Sequence, residues 1–223
     1  MSTSGDVGRP SQQIAAVIFD HDGTLVDSEN ITLSVVAEIA INAGAQIRDD
    51  DPDRFVGADL HVVFEEIEKR SGKPLPDNIM DVFRERQSAL LRDGLVEIPG
   101  ARALLESITL PMAVASNAPV SKMELCLETT GMLSLFPKGH LLSAYDVNAW
   151  KPDPSVYFAA AEVLGVEPAH CAVVEDSRPG VEGALAAGMA VFALDPDGRL
   201  ADFTEATRVS SLAEFGEILA ANS

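Results

Sequence analysis

Apolar residues in this chain fall into two rhythms, and the switch between them divides the sequence. Ala15, Ala16, Val17, Ile18 and Phe19 form a short continuous apolar run that stops abruptly at Asp20. A run of that length without alternation reads as a parallel strand covered on both faces. Comparable runs follow at 112–115, 171–174 and 190–194. Helical spacing separates them. Ala101, Leu104, Leu105 and Ile108 share a face, as do Met123, Cys126 and Leu127, and then Val156, Ala159, Ala160, Val163 and Leu164. Strands alternating with amphipathic helices predict right-handed crossovers and an open parallel sheet.

Between Ser28 and about Glu97 the strand runs vanish. Ile31, Val35 and Ile39 repeat at helical spacing, as do Leu60, Val63, Phe64 and Ile67, and Ile79, Val82, Phe83 and Leu90 make a third stripe. The spacing predicts an all-helical block inserted directly after the first strand. Pro99-Gly100 marks the return, where turn chemistry stops any continuing helix. Leu212, Phe215, Ile218 and Leu219 predict a closing C-terminal helix. The expected fold is α/β, with a Rossmann-like parallel-sheet core from residues 14–27 and 98–223 and an inserted helical domain at 28–97. Residues 1–13, polar and rich in Ser and Gly, read as a loose, disordered tail.

Composition narrows the function. The chain has 223 residues, 47% of them hydrophobic, enough for one well-cored domain and a smaller one. A net charge of −19, with 16 scattered basic residues, excludes a nucleic-acid or anionic-membrane partner. No apolar run approaches the ~18 residues that span a bilayer. Cys126 and Cys171 lie far apart and outside any CxxC spacing, so they are expected to be ordinary buried thiols of a cytoplasmic protein, monomeric or a small homo-oligomer. An acidic surface repels a phosphate ester. A substrate of that kind therefore demands local cations or a metal at its site.

The chemistry gathers at strand ends. In extended chain, residues two apart point to one side, so Asp20 and Asp22 of Asp20-His21-Asp22-Gly23-Thr24 can converge on one substrate atom, and Gly23 permits a sharp turn. Glu175-Asp176 ends another strand run. Carboxylates at the ends of neighbouring parallel strands repel one another unless a cation sits among them, and oxygen-only ligands select a hard ion such as Mg²⁺. Ser116-Asn117 ends a third run and offers neutral donors for phosphate oxygens. Lys151, stiffened by Pro152 and Pro154, offers a compact positive charge. Each element alone also reads as a turn, a helix cap or a surface lysine. Together they adjoin predicted strands, and ligands of open α/β sheets bind beyond the carboxyl ends of strands.

With these elements in hand, the chain resembles the haloacid dehalogenase superfamily, specifically its phosphatases with a helical cap, and most closely the sugar-phosphate phosphatases. The resemblance rests on Asp20-His21-Asp22-Gly23-Thr24, Ser116-Asn117, Lys151 and Glu175-Asp176-Ser177, and the block at 28–97 falls where that family carries its cap. It implies a Mg²⁺-dependent phosphatase of a small phosphorylated metabolite. Asp20 would act as nucleophile, Asp22 as general acid and base with a pKa raised by neighbouring carboxylates, and Lys151 as a charge stabiliser. Metal binding would fall to Asp20, the backbone carbonyl of Asp22, Asp176, and Glu175 directly or through water. Ser116, Asn117, Lys151, Gly23 and Thr24 would surround the phosphoryl group.

Two rival readings follow from the same resemblance. A phosphosugar mutase of the β-phosphoglucomutase type carries a histidine where this chain has Thr32, and an arginine where it has Leu60; both departures favour hydrolysis. A non-catalytic metabolite-binding or regulatory module would be marked by a lost catalytic residue, and none is lost. Substrate choice is expected in the cap, with Arg54, Asp59 and His61 around Gly57 as candidates. Trp150 is expected to line the pocket or support its loop, and Arg178 to meet a carboxylate or the substrate.

Overall fold

The computed structural model describes residues 13–51, 55 and 60–221. The expected tail up to residue 12 lies outside the described residues, as do Arg54, Gly57 and Asp59. In chain order the strands are β1 (Ala16–Phe19), β2 (Val26–Asp27), β3 (Val96–Glu97), β4 (Met112–Ser116), β5 (Leu141–Ser143), β6 (Cys171–Glu175), β7 (Ala190–Leu194) and β8 (Thr207–Val209). Six of them form one sheet in the order β5-β4-β1-β6-β7-β8, every neighbouring pair parallel. The sequence runs marked the four inner strands. The two edge strands, three residues each, are too short to stand out as apolar runs.

Both faces of the sheet are covered, and for that reason the inner strands do not alternate polar with apolar. Val17, Phe19, Val114, Val174 and Phe192 face one layer, where they meet helices α4 (Ala101–Ser107), α5 (Val120–Thr129) and α9 (Leu212–Ala221). Ile18, Ala113, Ala115, Val173 and Val191 face the other, built by α7 (Ser155–Leu164) and α8 (Arg178–Ala186). The apolar stripe of α7 is rotated from its expected position. Tyr157 and Ala161 are buried, whereas Val163 is 43% exposed.

The inserted cap packs α1 (Glu29–Ala43), α2 (Leu60–Ser71) and α3 (Ile79–Gly94) around their own apolar centre of Val35, Ile39, Val63, Phe64, Ile67 and Phe83. Phe64 and Phe83 meet edge to face at 5.8 Å between centroids. Val82, expected inside, is 42% exposed; Gln87 and Leu91 turn inward on that helix. The outgoing and returning chains pair antiparallel as β2 and β3, Val26 opposite Glu97 and Asp27 opposite Val96. Both crossings between core and cap therefore pass through one small ribbon. No helix among the described residues is long and apolar enough to cross a membrane.

Candidate active site

The carboxyl ends of the adjacent strands β4, β1 and β6 deliver Ser116, Asp20 and Glu175 to one edge of the sheet. Lys151 closes the group. Its Nζ lies 2.5 Å from Asp20 Oδ1 and 2.5 Å from Glu175 Oε1, with its side chain only 3% exposed. Burial works against its charge, yet Asp20 and Glu175 outweigh that and raise the ammonium well above its ordinary value. Burial and the charge of Glu175 push Asp20 well up, against the pull of Lys151. Burial and Glu175 likewise lift Asp176, to about 7.

Asp20, Glu175 and Asp176 offer ligand oxygens that all lie within 4.8 Å of one another. Three carboxylates with one lysine leave an excess of negative charge at the site. An all-oxygen donor set with that excess suits Mg²⁺. The residues present fit the ion.

Glu175 is fully buried and saturated with donors. Its Oε1 accepts from Lys151 Nζ and from Tyr157 Oη at 2.9 Å; its Oε2 accepts from the Ser177 amide at 3.1 Å and Ser177 Oγ at 2.9 Å. Ser177 also caps α8, taking a hydrogen bond from the Gly180 amide. Capping and site construction are thus the work of one residue, which leaves Asp176 on the cluster. A Cβ on Gly180 would come within 1.9 Å of Glu175 Cδ, so only glycine admits this carboxylate. Gly23, at φ 86°, has the same relation to Asp176, whose Oδ2 would stand 2.1 Å from an added Cβ. Thr24 Oγ1 donates to Asp176 Oδ1 at 3.1 Å.

Ser116 Oγ accepts from the Ala118 amide at 3.0 Å, which leaves its own proton to donate. Asn117 Oδ1 accepts from the Lys151 amide at 2.9 Å and so ties the lysine loop to the end of β4. Asp22 stands apart from the acidic cluster. Its Oδ1 accepts from Ser28 Oγ and, at 2.8 Å, from Lys122 Nζ, while wholly buried His21 sets Nδ1 3.2 Å away. Burial by itself would raise the Asp22 carboxyl, but Lys122 and His21 outweigh it and hold the group well below the usual carboxylate range. The expected upward shift from neighbouring carboxylates is therefore reversed, because the side chain faces a lysine instead.

Lys122 and Tyr157 are the site residues that the sequence did not single out. Lys122 lies in the first turn of the helix that follows Ser116-Asn117, a placement that points toward the strand ends. Among the cap candidates, Arg54 and Asp59 lie outside the described residues, and His61 is exposed at the start of α2. Thr32 Oγ1 accepts from Gln87 Nε2 at 2.8 Å, and Leu60 packs against the cap centre. Trp150, 45% exposed, meets Tyr145 edge to face at 5.4 Å. Arg178 makes a two-pronged pair with Asp202 at 2.8 Å and lies over Phe203. Both cysteines are buried, and burial pushes the thiols of Cys126 and Cys171 up to about 12 and about 11.

The family model described as haloacid dehalogenase-like hydrolase matches residues 17–194. The chain is 35% identical to 6-phosphogluconate phosphatase of Escherichia coli K12 over 213 residues, covering 92% of this chain and 95% of that protein. It is 30% identical to hexitol phosphatase B of the same organism over 184 residues, 80% of this chain and 82% of that one. A solved haloacid dehalogenase family hydrolase from Deinococcus radiodurans, with bound phosphate and sodium, superposes with a TM-score of 0.78 at 28% identity, covering 95% of this chain and 97% of that one. The matched segment contains both halves of the acidic cluster, the lysine between them and the cap inserted at the first strand, and on these grounds the chain belongs to the haloacid dehalogenase-like hydrolases.

Proposed function

We propose that this protein is a cytoplasmic Mg²⁺-dependent phosphatase that hydrolyses a sugar or sugar-acid phosphate by way of a phosphoryl group carried on Asp20. The observation that bears most weight is the buried set of Asp20, Lys151, Glu175 and Asp176 at the carboxyl ends of adjacent strands. The substrate class is supported by the names of the relatives, a 6-phosphogluconate phosphatase and a hexitol phosphatase. Residues 28–97 form the cap in this reading and 14–27 with 98–223 the core, and the enzyme works as a monomer or small homo-oligomer without a nucleic-acid partner.

A carboxylate oxygen of Asp20 attacks phosphorus as the bond to the ester oxygen breaks. Asp22 serves the departing alcohol as general acid, a role that requires the pull of Lys122 and His21 on its carboxyl to be relieved when the ester fills the site, and later accepts a proton from the water that cleaves the acyl phosphate. Lys151 and the Ser116 hydroxyl hold phosphoryl oxygens, while Asn117 keeps the lysine loop in place. Mg²⁺ would be held by Asp20, Asp176 and the Asp22 backbone carbonyl, and when bound it supplies the charge that offsets repulsion between Asp20 and the phosphate dianion. Glu175, its oxygens already occupied by protein donors, anchors Lys151 and would meet the ion directly or through water. Asp20 and Glu175 are the partners that keep Lys151 charged in a buried place.

Hydrolysis is favoured over phosphoryl return to a rotated sugar. The two cap positions that would distinguish a mutase carry Thr32, engaged by Gln87, and Leu60, packed in the cap centre. The test is phosphate release from a panel of phosphorylated metabolites with Mg²⁺ or EDTA, for wild type and Asp20→Asn. Release that needs both Mg²⁺ and Asp20 is the expected result. Isomerisation of a hexose phosphate without release would hand the chain to the mutases.

A further inference from the structure

Tyr157 stands in the first turn of α7, just after the Lys151 loop, and is wholly buried in the apolar layer that holds Ile18, Val156 and Ala160. Packing alone would be met there by phenylalanine. The hydroxyl adds polar partners: Oη lies 2.9 Å from Glu175 Oε1 and 3.0 Å from the Gly180 carbonyl oxygen, with one proton to donate between them. The ring lies against Lys151, whose Nζ is 5.1 Å from its centroid, a cation–π distance. Helix α8 presses on the ring so closely that a Cβ at Gly183 would stand 3.1 Å from Tyr157 Cε2. One side chain therefore meets the ammonium with its ring and the carboxylate with its tip, and core packing and α8 fix its place.

We propose that Tyr157 is a positioning residue of the active site: it holds Lys151 and Glu175 against each other and so keeps the acidic cluster in shape for Mg²⁺. Its part in catalysis rests on the phosphatase reading above. Without the hydroxyl, Glu175 Oε1 keeps Lys151 as a donor and Oε2 keeps Ser177, but the tie to α7 and α8 is gone. Lys151 stands 2.5 Å from both Asp20 and Glu175, so a turn of one carboxylate is passed through the lysine to the other. Groups behind a metal site that orient its ligands carry about 10–100-fold in metal affinity or activity. Tyr157 forms no bond and gives up no proton in the reaction.

Tyr157→Phe keeps the ring against Lys151 and deletes only the hydroxyl. Calorimetry is expected to show Mg²⁺ affinity lowered roughly tenfold in this variant. Phosphate release at saturating Mg²⁺ is expected to show a lower kcat with KM little changed, as for an interaction that orders the reacting groups and does not bind substrate. Val156→Ala, cut from the same turn and the same apolar layer, separates positioning from packing: it should lower the melting temperature and leave Mg²⁺ affinity at the wild-type value. Wild-type Mg²⁺ affinity and kcat in Tyr157→Phe would overturn the proposal, as would an equal loss of affinity in Val156→Ala. Wild-type protein that releases no phosphate from any ester, while Tyr157→Phe still weakens Mg²⁺ binding, would sink the phosphatase reading and leave the positioning of the cluster by Tyr157 standing.

Discussion

Asp176 is squeezed between the Gly23 turn and Glu175, and its carboxyl titrates near 7 because burial and that neighbour disfavour the charge. In the unfolded chain the same group would titrate near 3.8. Between those values the folded protein holds a proton that the unfolded chain has lost, so stability without metal falls as pH rises from about 4 to about 7. Thermal melts in EDTA should show that decline, and Asp176→Asn should reduce it; an unchanged slope would assign the decline to Asp20, raised in the same sense, and to the net charge of −19. Mg²⁺ requires the ionised carboxylate, so its affinity should weaken as pH drops below about 7, as calorimetry can measure. Asp20, Asp22, Ser116, Glu175 and Asp176 could be picked out in the sequence because each ends or adjoins an apolar run, and Lys151 because two prolines follow it. Lys122 was not. Its partner lies 100 positions away, and nothing local distinguishes it from a solvated helix lysine.

Helix α3 shows where periodicity slips and why. Its sequence stripe pairs Val82 with Phe83, yet the buried face runs through Phe83, Gln87 and Leu91. A polar residue at the middle of that face hides the true stripe, and Gln87 tolerates burial because Thr32 accepts its amide. Phe83→Ala is expected to cost about 3–5 kcal/mol by leaving a cavity opposite Phe64. Val82→Ala should stay within about 0.5 kcal/mol, as an exposed substitution does. Denaturant titration of both variants decides; equal costs would mean that the helix is rotated from the orientation described. Helix α7 repeats the lesson: buried Tyr157 carries a polar tip that finds Glu175, so a hydrophobic count leaves it out. Edge strands β5 and β8 were hidden for another reason. Three residues are too few to show a rhythm, and β8 includes Arg208, which pairs with Asp195 at 3.0 Å.

Across the whole molecule, an anionic substrate must approach a protein of net charge −19. The described cations at the site are Lys151, enclosed, and Lys122, whose side chain is 18% exposed. Long-range repulsion therefore opposes encounter, and salt screens it over a distance of roughly 8 Å at physiological ionic strength. At saturating Mg²⁺, kcat/KM should rise up to a few-fold as KCl increases from about 10 to 150 mM. A steady fall would mean that the local cations dominate the field. Overall architecture was the most legible level of all, since the alternation of apolar runs and helical stripes specifies a parallel sheet, and the loss of runs between Ser28 and Glu97 specifies the insertion. Two-residue strands β2 and β3 escaped notice because neither can be told from a linker without its partner.

That ribbon gives the protein a single doorway. The chain leaves and re-enters the sheet side by side, so the ends of everything between them are already neighbours. A segment with adjacent ends is an interchangeable part: it can be lengthened, shortened or swapped for another without moving a strand of the host. The acidic cluster and its lysine stay with the host whatever the part becomes. Descent can then redraw one while inheriting the other intact.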